Sequence, residues 1–297
     1  MTGIERIGVV GCGLMGAGIA EVCARAGLPV TVVERDAQAA RAGRLRITRS
    51  LDRATARGRL TAERREATAA RITVVDQIEA LQDRDLVIEA VAEDERLKAD
   101  VFARLDDAVT SAHTVLATNT SAIPVIRLAA ATGRPEHVVG VHFFNPVPVL
   151  RLVELVPSLL TSADTVARAE TFVTRRLGKE VVRTSDRAGF VVNALLVPYL
   201  LAAIRMAESG TASVEDIDRG MVLGCAHPLG PLALTDLIGL DTTRAIAESL
   251  YAEFREPQYA PPPLLSRMVE AGLLGRKSGR GFHRYDEQPQ RETAPPG

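Results

Sequence analysis

The chain is predicted to fold as a doubly wound α/β domain followed by a smaller all-α domain. Three observations lead there. Short apolar runs alternate with longer helical stretches through residues 1–185, the pattern of strands joined by crossover helices. A glycine motif, Gly11-Cys12-Gly13-Leu14-Met15-Gly16, stands directly after the first apolar run. Beyond Asp186 the alternation stops, and helical segments divided by Gly and Pro fill residues 186–285. Residues 286–297 are polar and Pro-rich, and a disordered tail is expected there.

Taken in order, Ile7 to Val10 reads as a short buried strand that runs into the glycine motif and then a helix over Ala17 to Ala26. The first glycine serves a tight turn, the second admits a pyrophosphate to the backbone, and the third lets helix and strand pack closely. The free amides and positive dipole end of the helix then suit phosphate. A GxGxxG alone is a weak signal; here it has its strand before and its helix after. Gly27 ends the helix, Pro29 to Val33 makes a second strand, and Glu34 closes it. An acidic residue about 20 positions on can take both ribose hydroxyls and repels a 2′-phosphate, which favours NAD over NADP. Arg35 weakens that exclusion, because it can accept a 2′-phosphate or stack on adenine. The first domain is therefore Rossmann-type and dinucleotide-binding.

Residues 37–70 form an Arg- and Ala-rich helical insertion, read as two helices broken near Gly58 and restarted at Thr61. Arg46, Ser50, Arg53 and Arg57 share one face at helical spacing. That face is either a solvated charged surface or a clamp for a polyphosphate handle. Further strands are expected at Ile72 to Val75, Leu86 to Val91 and Val115 to Ala117, with a helix carrying Lys98 and Phe102 between the last two. Thr118-Asn119-Thr120-Ser121 then stands at a strand's carboxyl end, where open parallel sheets bind ligands; Ser121 can also cap the following helix.

Val138, Val139 and Val141 deliver His142 to the end of a strand that Pro146 stops. A second run, Leu152 to Val156, carries Glu154, and Glu180 to Thr184 is the last strand. If the two runs are neighbours, the carboxylate holds one imidazole nitrogen and the other faces a substrate hydroxyl. A base oriented in this way suits proton abstraction at neutral pH. The bland alternative is a buried histidine bonded to whatever lies nearby.

In the second domain, Val191 to Met206, Val214 to Gly220, Leu234 to Phe254 and Pro263 to Ala271 read as helices. Asn193 is an amide inside an apolar helix and must find a partner. Gly275 to Phe282 is a basic glycine loop.

Composition bounds the function. A formal net charge of −1 over 297 residues provides no bulk field for nucleic acid or an anionic membrane, so an anionic ligand needs a local basic patch. Three cysteines without CxxC or metal spacing fit a reduced compartment, and no metal site is expected. The N-terminus begins a strand at once, and the apolar stretch Phe190 to Ile204 is interrupted by Asn193 and Pro198. A soluble cytoplasmic protein is expected.

The ordered motifs GCGLMGAGIA, ATNTSAI, HFFNPVPV with LVE, GFVVN, HPLGPLALTDLIGLD and GRKSGRGF run through almost the whole chain. In these the sequence resembles the L-3-hydroxyacyl-CoA dehydrogenase family, in particular its short monofunctional 3-hydroxybutyryl-CoA dehydrogenases. The resemblance implies that His142 is the catalytic base and Glu154 the carboxylate that orients it. It implies that Ser121 touches the substrate oxygen beside the nicotinamide and that Asn193 polarises the reacting oxygen. Glu34, Glu93, Lys98, Asn145 and Lys277 would join Gly11, Gly13, Leu14, Met15 and Gly16 at the cofactor, NAD. Ser50 and Arg57 would hold the nucleotide of an acyl-CoA substrate, and the helical domain would build a homodimer.

Four positions depart from the family pattern. Ala194 stands for an arginine, Ala188 for a proline, Ala226 for an asparagine and Thr118 for a serine. None removes a catalytic group, but the first three bear on substrate choice and domain packing. The expected reaction is reversible NAD-dependent oxidation of a short-chain L-3-hydroxyacyl-CoA to the 3-ketoacyl-CoA. One alternative keeps the chemistry on a carrier-protein-bound acyl group, whose acidic carrier the Arg face would meet. Another is a non-catalytic dinucleotide-binding protein, against which intact His142, Glu154, Ser121 and Asn193 argue.

Overall fold

The computed structural model describes residues 3–285, so the tail expected to be disordered lies outside the described residues. The chain divides into two compact units, Met1–Phe190 and Val191 onward. The division falls five residues later than 185/186, for a local reason. Asp186 accepts the backbone N–H of Val125 (2.7 Å) and Ile126 (2.8 Å), and Phe190 is buried in the first unit's core, so the intervening residues belong to it.

Strands β1 (Ile7–Val10), β2 (Val30–Val33), β3 (Ile72–Val75), β4 (Leu86–Glu89), β5 (Val115–Thr118), β6 (Val138–Phe143), β7 (Leu152–Pro157) and β8 (Glu180–Arg183) make one eight-stranded sheet of order β3-β2-β1-β4-β5-β6-β7-β8. All neighbours are parallel except β6 and β7, which are antiparallel. Every residue of β1, β2, β4, β5 and β6 is buried, because helices cover both faces; this is why these strands read as unbroken apolar runs. One face carries α1 (Leu14–Arg25), α2 (Ala37–Ala56) and α6 (Ala163–Thr171), whose Ile19, Leu51 and Ala169 join Val9 and Val141 of the sheet in one apolar cluster. The other carries α4 (Glu95–Ala108) and α5 (Val125–Ala129), whose Phe102, Leu105 and Leu128 join Val10 and Leu116 of the sheet in a second cluster. The strand order reverses between β1 and β4, the crevice where such sheets bind dinucleotides.

The first unit departs from expectation at three places. Helix α1 begins at Leu14, inside the glycine motif rather than at Ala17, so the motif supplies the helix's first turn. The strand–helix alternation fails between β6 and β7, which are joined by a loop turned at Pro146. Ser121 does not cap α5: that helix has no side-chain cap of its own, and the distant Asp186 satisfies its first amides. The insertion does break near Gly58 as read, into α2 and α3 (Ala62–Ala70), with the Thr61 hydroxyl accepting Arg64 N–H.

The second unit contains α7 (Val192–Glu208), α8 (Val214–Cys225), α9 (Pro231–Ile238), α10 (Leu240–Phe254) and α11 (Pro263–Glu270). The single helix expected over Leu234 to Phe254 is two, because Gly239 takes φ 104°, which no helix interior accommodates. The basic glycine loop is a clasp around Asp236, whose carboxylate accepts Phe282 N–H, His283 N–H and the Tyr285 hydroxyl at 2.8–2.9 Å. Gly281 and Gly275 press on Asp236 so closely that a Cβ at either would overlap it.

Candidate active site

In β6 the penultimate residue is His142, and the antiparallel register sets it directly opposite Glu154 on β7. Directly opposed residues project to the same face, so the side chains meet without either strand distorting. His142 Nδ1 lies 2.7 Å from Glu154 Oε2; the histidine is 6% exposed and the glutamate fully buried. A carboxylate only accepts, so Nδ1 carries the proton and Nε2 is left as the basic nitrogen. Phe144 and Phe190 flank the ring at centroid distances of 4.6 and 5.6 Å, giving an apolar setting that limits competing water.

The carboxyl ends of β4 and β5 gather a second group. Asn119 Oδ1 accepts Phe143 N–H (2.9 Å) and so ties the end of β5 to β6 beside His142. Glu93 Oε1 accepts Ser121 N–H at 2.9 Å, lies 3.4 Å from the Ser121 hydroxyl and also takes the Thr120 hydroxyl. Lys98, 1% exposed, places Nζ 2.6 Å from Glu89 and 3.2 Å from Glu93. Burial works against the Glu93 charge, but the Lys98 ammonium and the bonds from Thr120 and Ser121 outweigh it and hold the carboxyl below its ordinary range.

At the glycine turn, Gly11 has φ 90°, and a Cβ on Gly16 would overlap the Gly11 carbonyl. Among the described residues, no atom beyond Gly13 and its chain neighbours lies within 4 Å of where a Gly13 Cβ would stand, so the backbone is open to a pyrophosphate there. Glu34 Oε1 accepts Cys12 N–H at 2.6 Å, which fixes the carboxylate at the mouth of the turn. This cradle fits a dinucleotide. Burial, and secondarily the Glu34 charge, pushes the Cys12 thiol up to about 12, so it is an inert packing group.

Models of two domain families match the sequence. The 3-hydroxyacyl-CoA dehydrogenase NAD binding domain covers residues 6–187, and the C-terminal domain of the same enzymes covers 189–285. The chain belongs to the 3-hydroxyacyl-CoA dehydrogenase family. A 3-hydroxybutyryl-CoA dehydrogenase of Mycobacterium tuberculosis strain H37Rv is 58% identical over 282 residues, 95% of this chain and 99% of that one. The crystal structure of M. tuberculosis FadB2 superposes with a TM-score of 0.95 at 57% identity, over 96% of this chain and 100% of that one. For (S)-3-hydroxybutyryl-CoA dehydrogenase PaaH1 from Ralstonia eutropha the values are 0.89 and 44%, over 96% and 100%.

Within this 3-hydroxyacyl-CoA dehydrogenase, the residues singled out in the sequence fall into separate groups. His142 pairs with Glu154; Ser121, Glu93 and Lys98 form one cluster; Gly11, Gly13, Gly16 and Glu34 form the turn, with Met15 half-buried and Leu14 64% exposed. Asn145 is exposed in the loop after β6. Ser50 is half-buried on α2, and Arg57 is exposed as its C-cap. Arg46, counted with them on one face, instead donates to the Cys12 carbonyl, so the clamp face loses one arginine to the glycine turn. Asn193 is buried in the first turn of α7, and Lys277 bonds both oxygens of Asp241 at 2.6 Å, each within the second unit. Sequence reasoning gave no role to Glu89, although an acid ending the apolar run Leu86-Val87-Ile88 was the available signal.

Proposed function

We propose that this enzyme catalyses the reversible NAD-dependent oxidation of a short-chain L-3-hydroxyacyl-CoA, such as 3-hydroxybutyryl-CoA, to the 3-ketoacyl-CoA. The observation that carries the reading is the His142–Glu154 pair, 2.7 Å apart at the end of β6, in a chain so similar to 3-hydroxybutyryl-CoA dehydrogenases. His142 Nε2 takes the proton of the C3 hydroxyl. Glu154 keeps the other nitrogen protonated and stabilises the imidazolium that results, a contribution of about 10²–10⁴-fold for a well-placed acid–base group. NAD, held at the glycine turn and Glu34, would supply the hydride acceptor for C3. Ser121, and by resemblance Asn193, donate to the oxygen on which charge develops in the reducing direction. Glu93, Lys98, Asn145 and Lys277 are read as cofactor positions and Ser50 and Arg57 as the hold on the CoA nucleotide. Exposed Leu195, Leu223 and Leu237 of the second unit support a homodimer.

His142→Gln keeps the size and one hydrogen bond of the side chain but removes the base. It should lower kcat with acetoacetyl-CoA and NADH by two or more orders of magnitude, about the range of general acid–base catalysis, while NADH affinity measured by fluorescence stays within about threefold. Near-normal turnover would refute the assignment of the base. Efficient reduction of free acetoacetyl-CoA would likewise set aside a substrate that must be attached to a carrier protein.

A further inference from the structure

Glu89 is a charged group in the centre of the first unit that the chemistry above does not use. It ends β4, is fully buried, and every polar contact it makes leads toward the site. Its Oε1 accepts Val91 N–H at 2.7 Å and lies 2.6 Å from Lys98 Nζ; its Oε2 accepts the Thr118 hydroxyl at 2.8 Å. Lys98 in turn reaches Glu93, and Glu93 holds the backbone N–H and hydroxyl of Ser121. A buried ammonium needs a counter-charge. Glu93 alone is a poor one, since its side chain is 37% exposed and already bonded to Thr120 and Ser121. Glu89 supplies the counter-charge from below and leaves Glu93 ionised and turned outward, toward the serine.

We propose that Glu89 is a positioning residue, acting through Lys98 and Glu93 to fix the place and hydrogen-bond direction of Ser121. An ionised Glu93 only accepts, so it draws the Ser121 hydroxyl proton to itself until a substrate oxygen competes for it. The proposal rests on the reading of Ser121 as a substrate contact, and its test separates the two.

Glu89→Gln preserves size and one acceptor but gives Lys98 no charge. In the full-length enzyme, at saturating NADH, it should lower kcat for acetoacetyl-CoA reduction by about ten- to hundredfold, the usual cost of a misplaced reacting group; NADH affinity falls alongside, since Lys98 and Glu93 are also read as cofactor positions, and kcat is the readout that decides. In a Ser121→Ala background the same substitution should change kcat by less than about twofold, because the group it positions is already gone. Glu89→Asp, which keeps the charge but shortens its reach to Lys98, provides a milder second arm with the same masking should Glu89→Gln not fold; circular dichroism checks folding in each case. Equal losses in both backgrounds, a loss confined to NADH affinity, or wild-type kcat in Glu89→Gln would overturn the role of Glu89 while leaving Ser121 in place. Wild-type kcat in Ser121→Ala would overturn the reading of Ser121, and the proposal with it.

Discussion

Ala226 follows α8 in a left-handed conformation, φ 55° and ψ 32°. An L-residue with a Cβ carries a cost of about 1–2 kcal/mol there, whereas asparagine, the residue the family pattern has, adopts it readily. Ala226→Asn should therefore stabilise the second unit by about 0.5–1 kcal/mol, seen as a rise of a few degrees in its thermal midpoint with kcat unchanged. A fall in the midpoint would mean that the methyl group makes a contact worth more than the strain. The pairing of a histidine with a carboxylate was legible at this scale. Two apolar runs flank a proline, and Pro146 says where the first must stop, so His142 and Glu154 could be paired on the condition that the runs are neighbours; the antiparallel register meets that condition. Arg46 was not legible, because helical periodicity tells which residues share a face and not that one of them will bend back to a carbonyl 34 positions away.

Among the elements, the seat of α2 on the glycine turn links the two halves of the proposed ligand site. Gly43 of α2 lies against Cys12, such that a Cβ would stand 2.6 Å from the Cys12 Cβ and 2.8 Å from its Sγ, and Arg46 fastens the same residue from one turn further on. Gly43→Ala replaces a poor helix former with a good one, yet should destabilise the first unit by about 1–3 kcal/mol through overpacking. It should also raise KM for NADH more than KM for acetoacetyl-CoA, since the turn moves before the far end of the helix does. Denaturant unfolding with steady-state kinetics reads both effects; a stability gain would show that the contact relaxes freely. Strands covered on both faces announce themselves as apolar runs, which is why β1, β2 and β4 to β6 could be placed within a residue or two. What escaped was satisfied over long range. Asp186 caps α5 from 60 positions away, and Asp236 gathers the glycine loop from 46, and no local pattern signals either.

For the molecule as a whole, pH acts through a histidine of the second unit. His283 Nε2 lies 2.8 Å from Asp218 Oδ2, and Asp218 also accepts Leu232 N–H and Ala233 N–H at the start of α9. The bond to Asp218 raises the His283 pKa, with burial opposing it in part and the Asp218, Asp236 and Glu215 charges adding to it. A raised histidine pKa stabilises the folded state below the ordinary value of about 6.5, and that contribution is lost as pH climbs through the folded value. The midpoint difference between wild type and His283→Phe should thus be larger at pH 5.5 than at pH 8.5. A difference that is flat or grows with pH would exclude the charged pair as its source. Division of the chain into two units was visible in the loss of strand–helix alternation after Asp186, but the hinge of composition is not the hinge of packing, because Asp186 and Phe190 are both claimed by the first unit.

The proposed base and its carboxylate owe their meeting to nothing but where β7 lies along β6. Sliding that strand by one position would bring Val153 or Leu155 opposite His142 and turn Glu154 to the far side of the sheet, with every backbone bond of the pair still available. Insertions or deletions in the loop at 146–151, which spare Asn145, should therefore have a characteristic outcome: protein that expresses, folds and still holds its dinucleotide, but has lost its chemistry.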